Sequence, residues 1–201
     1  MLAFAGGNTG TYILDNVSVR KRSYAEVCRG NVFENPGFET TFASPWAFYG
    51  NPPREIMTDS STGNTYLRIY GRNAWNAWTR GVFQGIQTKC IIPGEEWKVK
   101  FKTRLVDSNG NGIDCVPAEN NRNCPMVRIQ TTFAPAAATW NDLYDPHMVW
   151  NKDGWSTFET YFITTPDTAG PGLTSFLVLF GGGPQGSELI VDDLVFEHAA
   201  V

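Results

Sequence analysis

Charge is scarce in this chain of 201 residues. Lys, Arg, Asp and Glu together supply only 18% of it and leave a net charge of -4, so the chain lacks the basic footprint that a nucleic-acid partner demands. Long apolar runs are missing too, and none approaches the roughly 20 residues of a membrane span. No stretch sustains the 3.6-residue apolar period of an amphipathic helix. Histidine occurs only at His147 and His198, and there is no Cys-x-x-Cys pair, which leaves little from which to build a zinc site. Met1 to Gly10 lacks the basic region, apolar stretch and cleavage site of a secretion signal, so the chain is expected to be a piece of a longer one.

Glycine, proline and aromatic residues are plentiful instead, a composition that favours short strands joined by turns. Thr65–Gly71, Glu96–Val106, Pro125–Phe133, Ser156–Thr164, Ser175–Phe180 and Glu188–Glu197 each alternate or run apolar between turn residues. That is the pattern of an antiparallel sandwich with one face of each sheet in the core. In "WKVKFKTRL", Trp97, Val99, Phe101, Thr103 and Leu105 share one face, while Lys98, Lys100, Lys102 and Arg104 share the other. The cationic stripe reads as a solvated face and requires no ligand.

Four cysteines in a turn-rich chain point to disulfides and an oxidising, extracellular setting. Cys115 and Cys124 bracket a polar loop that one bond would close, leaving Cys28 and Cys90 for each other; four cysteines still permit three pairings. "DSNGNGID", Asp107–Asp114, resembles the first half of a calcium loop, but Ala118 stands where the bidentate glutamate belongs. An asparagine- and glycine-rich turn explains it as well.

The chain also echoes itself. Leu2–Arg20 and Val178–Glu197 share an apolar run, a glycine cluster, a turn and a strand broken at an acidic position, with Asp15-Asn16-Val17 answering Asp192-Asp193-Leu194. Such similarity between the two stretches marks a repeat. The reading is a terminal strand pair of a preceding module over 1–20, a polar linker over 21–30 and one module over 31–198.

Within that module, "NVFENPGFE" (Asn31–Glu39), "SPWAFYG", "GNTYLRIYGR", "WTRGVFQGIQTKCIIPGEEWKVKFKTRL", "GWSTFETYFITTP" and "ELIVDDLVFE" follow one another in an order that resembles carbohydrate-binding modules of the family 4/9 type. The resemblance implies an all-β fold, an antiparallel β-sandwich of the galactose-binding-domain-like jelly-roll kind. It also implies a structural calcium ion held by Glu39, Asp192 and the turn at Gly63 and Asn64. Two carboxylates brought from opposite ends of a chain repel unless a cation lies between them, and calcium accepts oxygen ligands at irregular geometry. Trp46, Trp97 and Trp155 stand where such modules bury an aromatic.

A polysaccharide offers apolar ring faces and hydroxyl groups, so its site needs flat aromatic side chains with polar groups beside them. Gly71–Gly85 supplies Arg72, Trp75, Asn76, Trp78, Arg80 and Gln84, and a second group, Trp140, Tyr144 and Trp150, lies in a segment that reads as a loop at the rim. An enzyme would need an acid and a base; only "DLYDPH", with Tyr144, Asp145 and His147, gathers candidates, and no second histidine joins them. The expectation is therefore a non-catalytic, extracellular module that binds polysaccharide and neighbours similar modules. The alternative is a structural or adhesive repeat.

Overall fold

The computed structural model describes residues 28–40, 45–73, 77–117 and 122–199. Ten strands occur among them: β1 Ala47–Phe48, β2 Arg54–Thr58, β3 Thr65–Ile69, β4 Val82–Gly85, β5 Glu96–Val106, β6 Pro125–Phe133, β7 Thr139–Leu143, β8 Ser156–Ile163, β9 Leu173–Gly182 and β10 Glu188–His198. A front sheet runs β1-β4-β9-β6-β7 and a back sheet β2-β3-β10-β5-β8. Every pairing is antiparallel. The all-β sandwich expected from alternation is the fold observed.

β5 shows why these residues make strands. Trp97, Val99, Phe101, Thr103 and Leu105 are wholly buried, and the lysines between them face solvent, as the two-residue period of a strand requires. β10 breaks that period. Leu189 and Val191 point into the core, then the register against β5 shifts between Asp192 and Val195, with Asp193 at φ 50, and Leu194 and Phe196 become the core residues. One extra residue has moved the inward positions from odd to even numbers, which is what a bulge does. It also leaves Asp192 buried at the bend.

Between the sheets aromatic rings pack among aliphatic side chains. Phe101 packs 4.9 Å from Phe158 and 5.0 Å from Phe180 between ring centroids, and Phe33 lies 5.5 Å from Phe180. Truncating one such ring to alanine costs about 3–5 kcal/mol. The entering chain is tied in twice. Cys28 is disulfide-bonded to Cys90, and Val32 donates its amide to the Phe196 carbonyl at 2.9 Å, continuing the back sheet beyond the end of β3. At the same end the Ala199 amide donates to the Glu96 carbonyl at 2.9 Å.

Trp140 does not lie in a loop. Thr139–Leu143 forms β7, an edge strand paired only with β6, and none of its residues is fully buried, so it carries no clear apolar alternation. Cys115 is bonded to Cys124, which closes the loop expected there. The segment 1–27, which holds the terminal echo and nearly all of the linker, lies outside the described residues.

Candidate functional site

The solvent side of the front sheet carries the densest aromatic and polar cluster. On β6, Val127 and Ile129 enter the core, which turns Arg128 and Gln130 to the other face. Register sets Asp142 of β7 opposite Arg128 and Trp140 opposite Gln130, so these four side chains share that face. Trp78 joins from the short 3-10 turn Ala77–Thr79. Its carbonyl oxygen stands 2.6 Å from where a Cβ on Gly181 of β9 would be, so only glycine lets the turn sit this close to the sheet.

The Arg128 guanidinium lies 4.7 Å from the ring centroid of Trp78 and 4.7 Å from that of Trp140. Its Nε donates to Asp142 Oδ1 at 2.5 Å, which fixes the planar group in the face. Arg122 covers Trp78 at 3.8 Å and reaches Asp142 Oδ2 at 3.8 Å. Tyr49, which follows edge strand β1 and is 43% exposed, meets the Trp140 ring edge-on at 5.8 Å. The cluster therefore draws on both edge strands of the sheet. Half-exposed rings can take the C–H faces of a sugar, and guanidinium, carboxylate and amide groups alongside can bond hydroxyls.

Trp78 and Trp140 are the two predicted residues brought together here. Trp75 and Asn76 lie outside the described residues. Arg80 packs against Gly50, next to Tyr49, and Tyr144 follows β7 with its carbonyl accepting from Thr160 Oγ1 at 3.2 Å. Three expected contacts have other duties. Arg72 is fully buried; the Gln84 side chain points inward, accepting from the Glu34 amide at 2.9 Å and donating to the Glu34 carbonyl at 3.0 Å; and Trp150 packs on the core while donating to the Ile113 carbonyl at 3.1 Å. Trp46 and Trp97 are buried, whereas Trp155 is half-buried against Tyr66. Sequence reasoning missed Tyr49, Arg122, Arg128 and Asp142. The one signal for Arg128 was a cation inside the apolar run of β6, which a solvated face explains equally.

The predicted metal residues do converge. A Cβ on Gly37 would stand 3.1 Å from Glu39 Oε1 and 3.7 Å from Asp192 Oδ1, so both carboxylates crowd one glycine. Asn64 Nδ2 donates to Asp192 Oδ2 at 2.8 Å, and the Asp193 amide to Asp192 Oδ1 at 2.8 Å; Gly63 sits in the adjoining turn at φ 74. Burial pushes the Asp192 carboxyl above its usual range. Among the described residues no group of three or more His, Cys, Asp or Glu side chains gathers to hold a metal. Beside the Glu39 and Asp192 carboxylates the Thr65 hydroxyl donates to the Gly37 carbonyl at 3.1 Å, and carboxylate, hydroxyl and carbonyl oxygens suit a hard cation of irregular coordination.

The other candidates resolve as structure. Asp107 accepts from the Asn109 and Asn111 amides at 2.8 and 2.9 Å and from Asn111 Nδ2 at 3.0 Å, and the Asn111 side-chain bond first among these holds its carboxyl below the usual range. Its loop is thus closed by its own hydrogen bonds. Asp145 borders a groove of about 710 Å³ beside edge strand β8, yet its oxygens already accept the His147 amide at 3.0 Å and the Glu159 amide at 2.9 Å.

The profile of the carbohydrate binding domain family CBM_4_9 matches residues 30–171, and the chain belongs to that family. Its fold is similar to the CBM22-2 xylan-binding domain of Paenibacillus barcinonensis Xyn10C, with a TM-score of 0.58 and 13% identity over 82% of this chain and 98% of that one. The C-terminal family 22 carbohydrate-binding module of Clostridium thermocellum Xyn10B gives 0.55 and 11% identity over 90% and 98%. No curated protein matches the chain. The family is one of binding modules, and no enzymatic domain is evident among the described residues. No helix there is long and apolar enough to cross a membrane.

Proposed function

We propose that the front face is a polysaccharide site and that β-linked chains of the xylan type are its ligands. The observation that carries this reading is the run of Tyr49, Trp140, Arg128 and Trp78 along one solvent-facing sheet surface. A chain of pyranose rings would lie on Trp140 and Tyr49, with Arg122, Asp142 and Gln130 positioned to bond its hydroxyls. Trp75 and Asn76, just ahead of Trp78 in sequence, are proposed as further ligand contacts. The similar module of Xyn10C is a xylan-binding domain, which supports xylan as the first ligand to try. Affinity gels containing xylan, β-glucan or alginate test the reading: retardation that Trp140→Ala abolishes supports it, and no retardation in any gel sinks it.

The same reading includes calcium at Glu39 and Asp192, supported by their convergence on Gly37. Turning the Asn64 amide would present its oxygen to the ion, and the ion would offset the carboxylate repulsion that burial intensifies. Its role is structural, bracing the β10 bulge. Two disulfides support an extracellular setting. The echo between Leu2–Arg20 and Val178–Glu197 supports tandem modules, and it is also what favours the second reading, a structural repeat in which module packs on module.

A further inference from the structure

Arg72 is wholly buried, and among the described residues no carboxylate pairs with it. Burying a charge without a counter-ion is costly, and an apolar side chain of similar volume usually does at least as well for stability. Desolvation, with the nearby charge of Arg80 adding to it, lowers its pKa to about 10, so it is still a cation at neutral pH. What the guanidinium does is join separate pieces of backbone. Nη2 donates to the Ala77 carbonyl at 2.7 Å and to the Gly182 carbonyl, and Nη1 donates to Ser187 Oγ at 3.1 Å. Its own carbonyl accepts the Gly186 amide at 2.9 Å. Nε has no acceptor.

Ala77 opens the turn that carries Trp78, and Gly182 and Ser187 flank the connection from β9 to β10. We propose that Arg72 is a positioning residue for the front face: it locks the Ala77–Thr79 turn onto the end of β9 and thereby sets where the Trp78 ring stands. The assignment rests on the reading of that face as a glycan site. An apolar side chain could fill the space but could not bond two carbonyls from segments more than a hundred residues apart in sequence. To the turn's own Arg80-to-Ala77 hydrogen bond, Arg72 adds a tie that crosses to the sheet beside the seat of the Trp78 carbonyl on Gly181.

The test compares Arg72→Met and Arg72→Lys in the whole chain. One readout is the indole N–H resonance of Trp78, identified by its loss in Trp78→Phe, with the core indoles of Trp46 and Trp97 as references. The other is xylohexaose affinity per folded molecule. In Arg72→Met the Trp78 resonance should shift or broaden while the two references stay, and affinity should fall about tenfold. Arg72→Lys, which keeps the charge and some donors, should recover part of both. An unmoved Trp78 resonance, or references that move as far as Trp78, overturns the assignment and makes Arg72 a plain core residue. Should Arg72→Met not fold, Ser187→Ala removes one acceptor and must perturb Trp78 in the same direction; no perturbation overturns the proposal. If wild-type protein ignores xylohexaose, the glycan reading is what fails, and the resonances still decide the role of Arg72.

Discussion

The front and back sheets follow the same alternation rule, yet their solvent faces are built differently. On the back face four cations each have a carboxylate partner: Lys98 with Glu197 at 2.6 Å, Lys100 with Glu159 at 3.2 Å, Lys102 with Asp193 at 2.7 Å, and Arg68 with Glu188 at 2.8 Å. On the front face Arg122 and Arg128 share Asp142 and rest on tryptophan rings. Cations paired with carboxylates have little left to offer a partner, whereas rings and guanidinium groups held in place suit the glycan site proposed above. On the function proposed above, the lysine stripe of β5, conspicuous in sequence, takes no ligand, and the lone arginine of β6 marks the glycan face.

The contrast is easiest to break at Trp140. Trp140→Ala should weaken glycan binding thirtyfold or more, about 2 kcal/mol, as for an aromatic anchor, with little change in melting temperature. Replacing Lys98, Lys100 and Lys102 together should leave affinity alone. Calorimetry on both variants checks the pair, and a back-face effect as large as that of Trp140 would erase the distinction.

Calcium should come next in size. With free ion at tenfold its dissociation constant, stabilisation should be about 1.4 kcal/mol, seen as a higher melting temperature that a chelator reverses. Asp192→Asn should remove the response, while Asp193→Asn, which faces solvent and pairs with Lys102, should keep it. A smaller effect is expected for Asp142→Asn. Loosening Arg128 and Arg122 should lower affinity severalfold and leave the fold intact, read from the same titrations.

The back ladder should give the smallest change. Its pairs are largely exposed, so each contributes a few tenths of a kcal/mol. Hydrogen bonds to Glu197 and Asp193 raise the pKa values of Lys98 and Lys102 above the ordinary 10.5. A raised folded-state value means that the contribution is complete below about pH 10.5 and disappears as pH climbs through the folded values. Melting curves of wild type and the Lys98→Met, Lys102→Met double variant should therefore converge in strong alkali and differ slightly at neutral pH.

Legibility in the sequence tracked burial on one side. The six segments read as strands are all present because their inward residues are large and apolar, and β9 merely extends further at both ends. β1 and β2 are edge strands of their sheets, β4 is only four residues long, and β7 buries no residue fully; none repeats often enough to show a period. The β10 bulge could not be read either, since a shift of register depends on β5, a distant partner. Trp78 and Trp140 were identifiable by residue type, but Arg128 was not, because its value comes from two rings delivered by separate elements. Arg72 misled for the opposite reason: a charged residue close in sequence to two tryptophans reads as surface, and only the packed structure shows it buried.

The way the chain enters and leaves has a mechanical meaning. Cys28 is bonded to Cys90, Cys90 leads within six residues to Glu96, and the Glu96 carbonyl receives the Ala199 amide. A pull applied between residues 28 and 199 is carried along this short path at one end of the back sheet, through a covalent bridge and the first residues of β5. The strands that present Trp140, Arg128 and Tyr49 are outside it. On the function proposed above, the front face would hold its glycan apart from the path that bears the load.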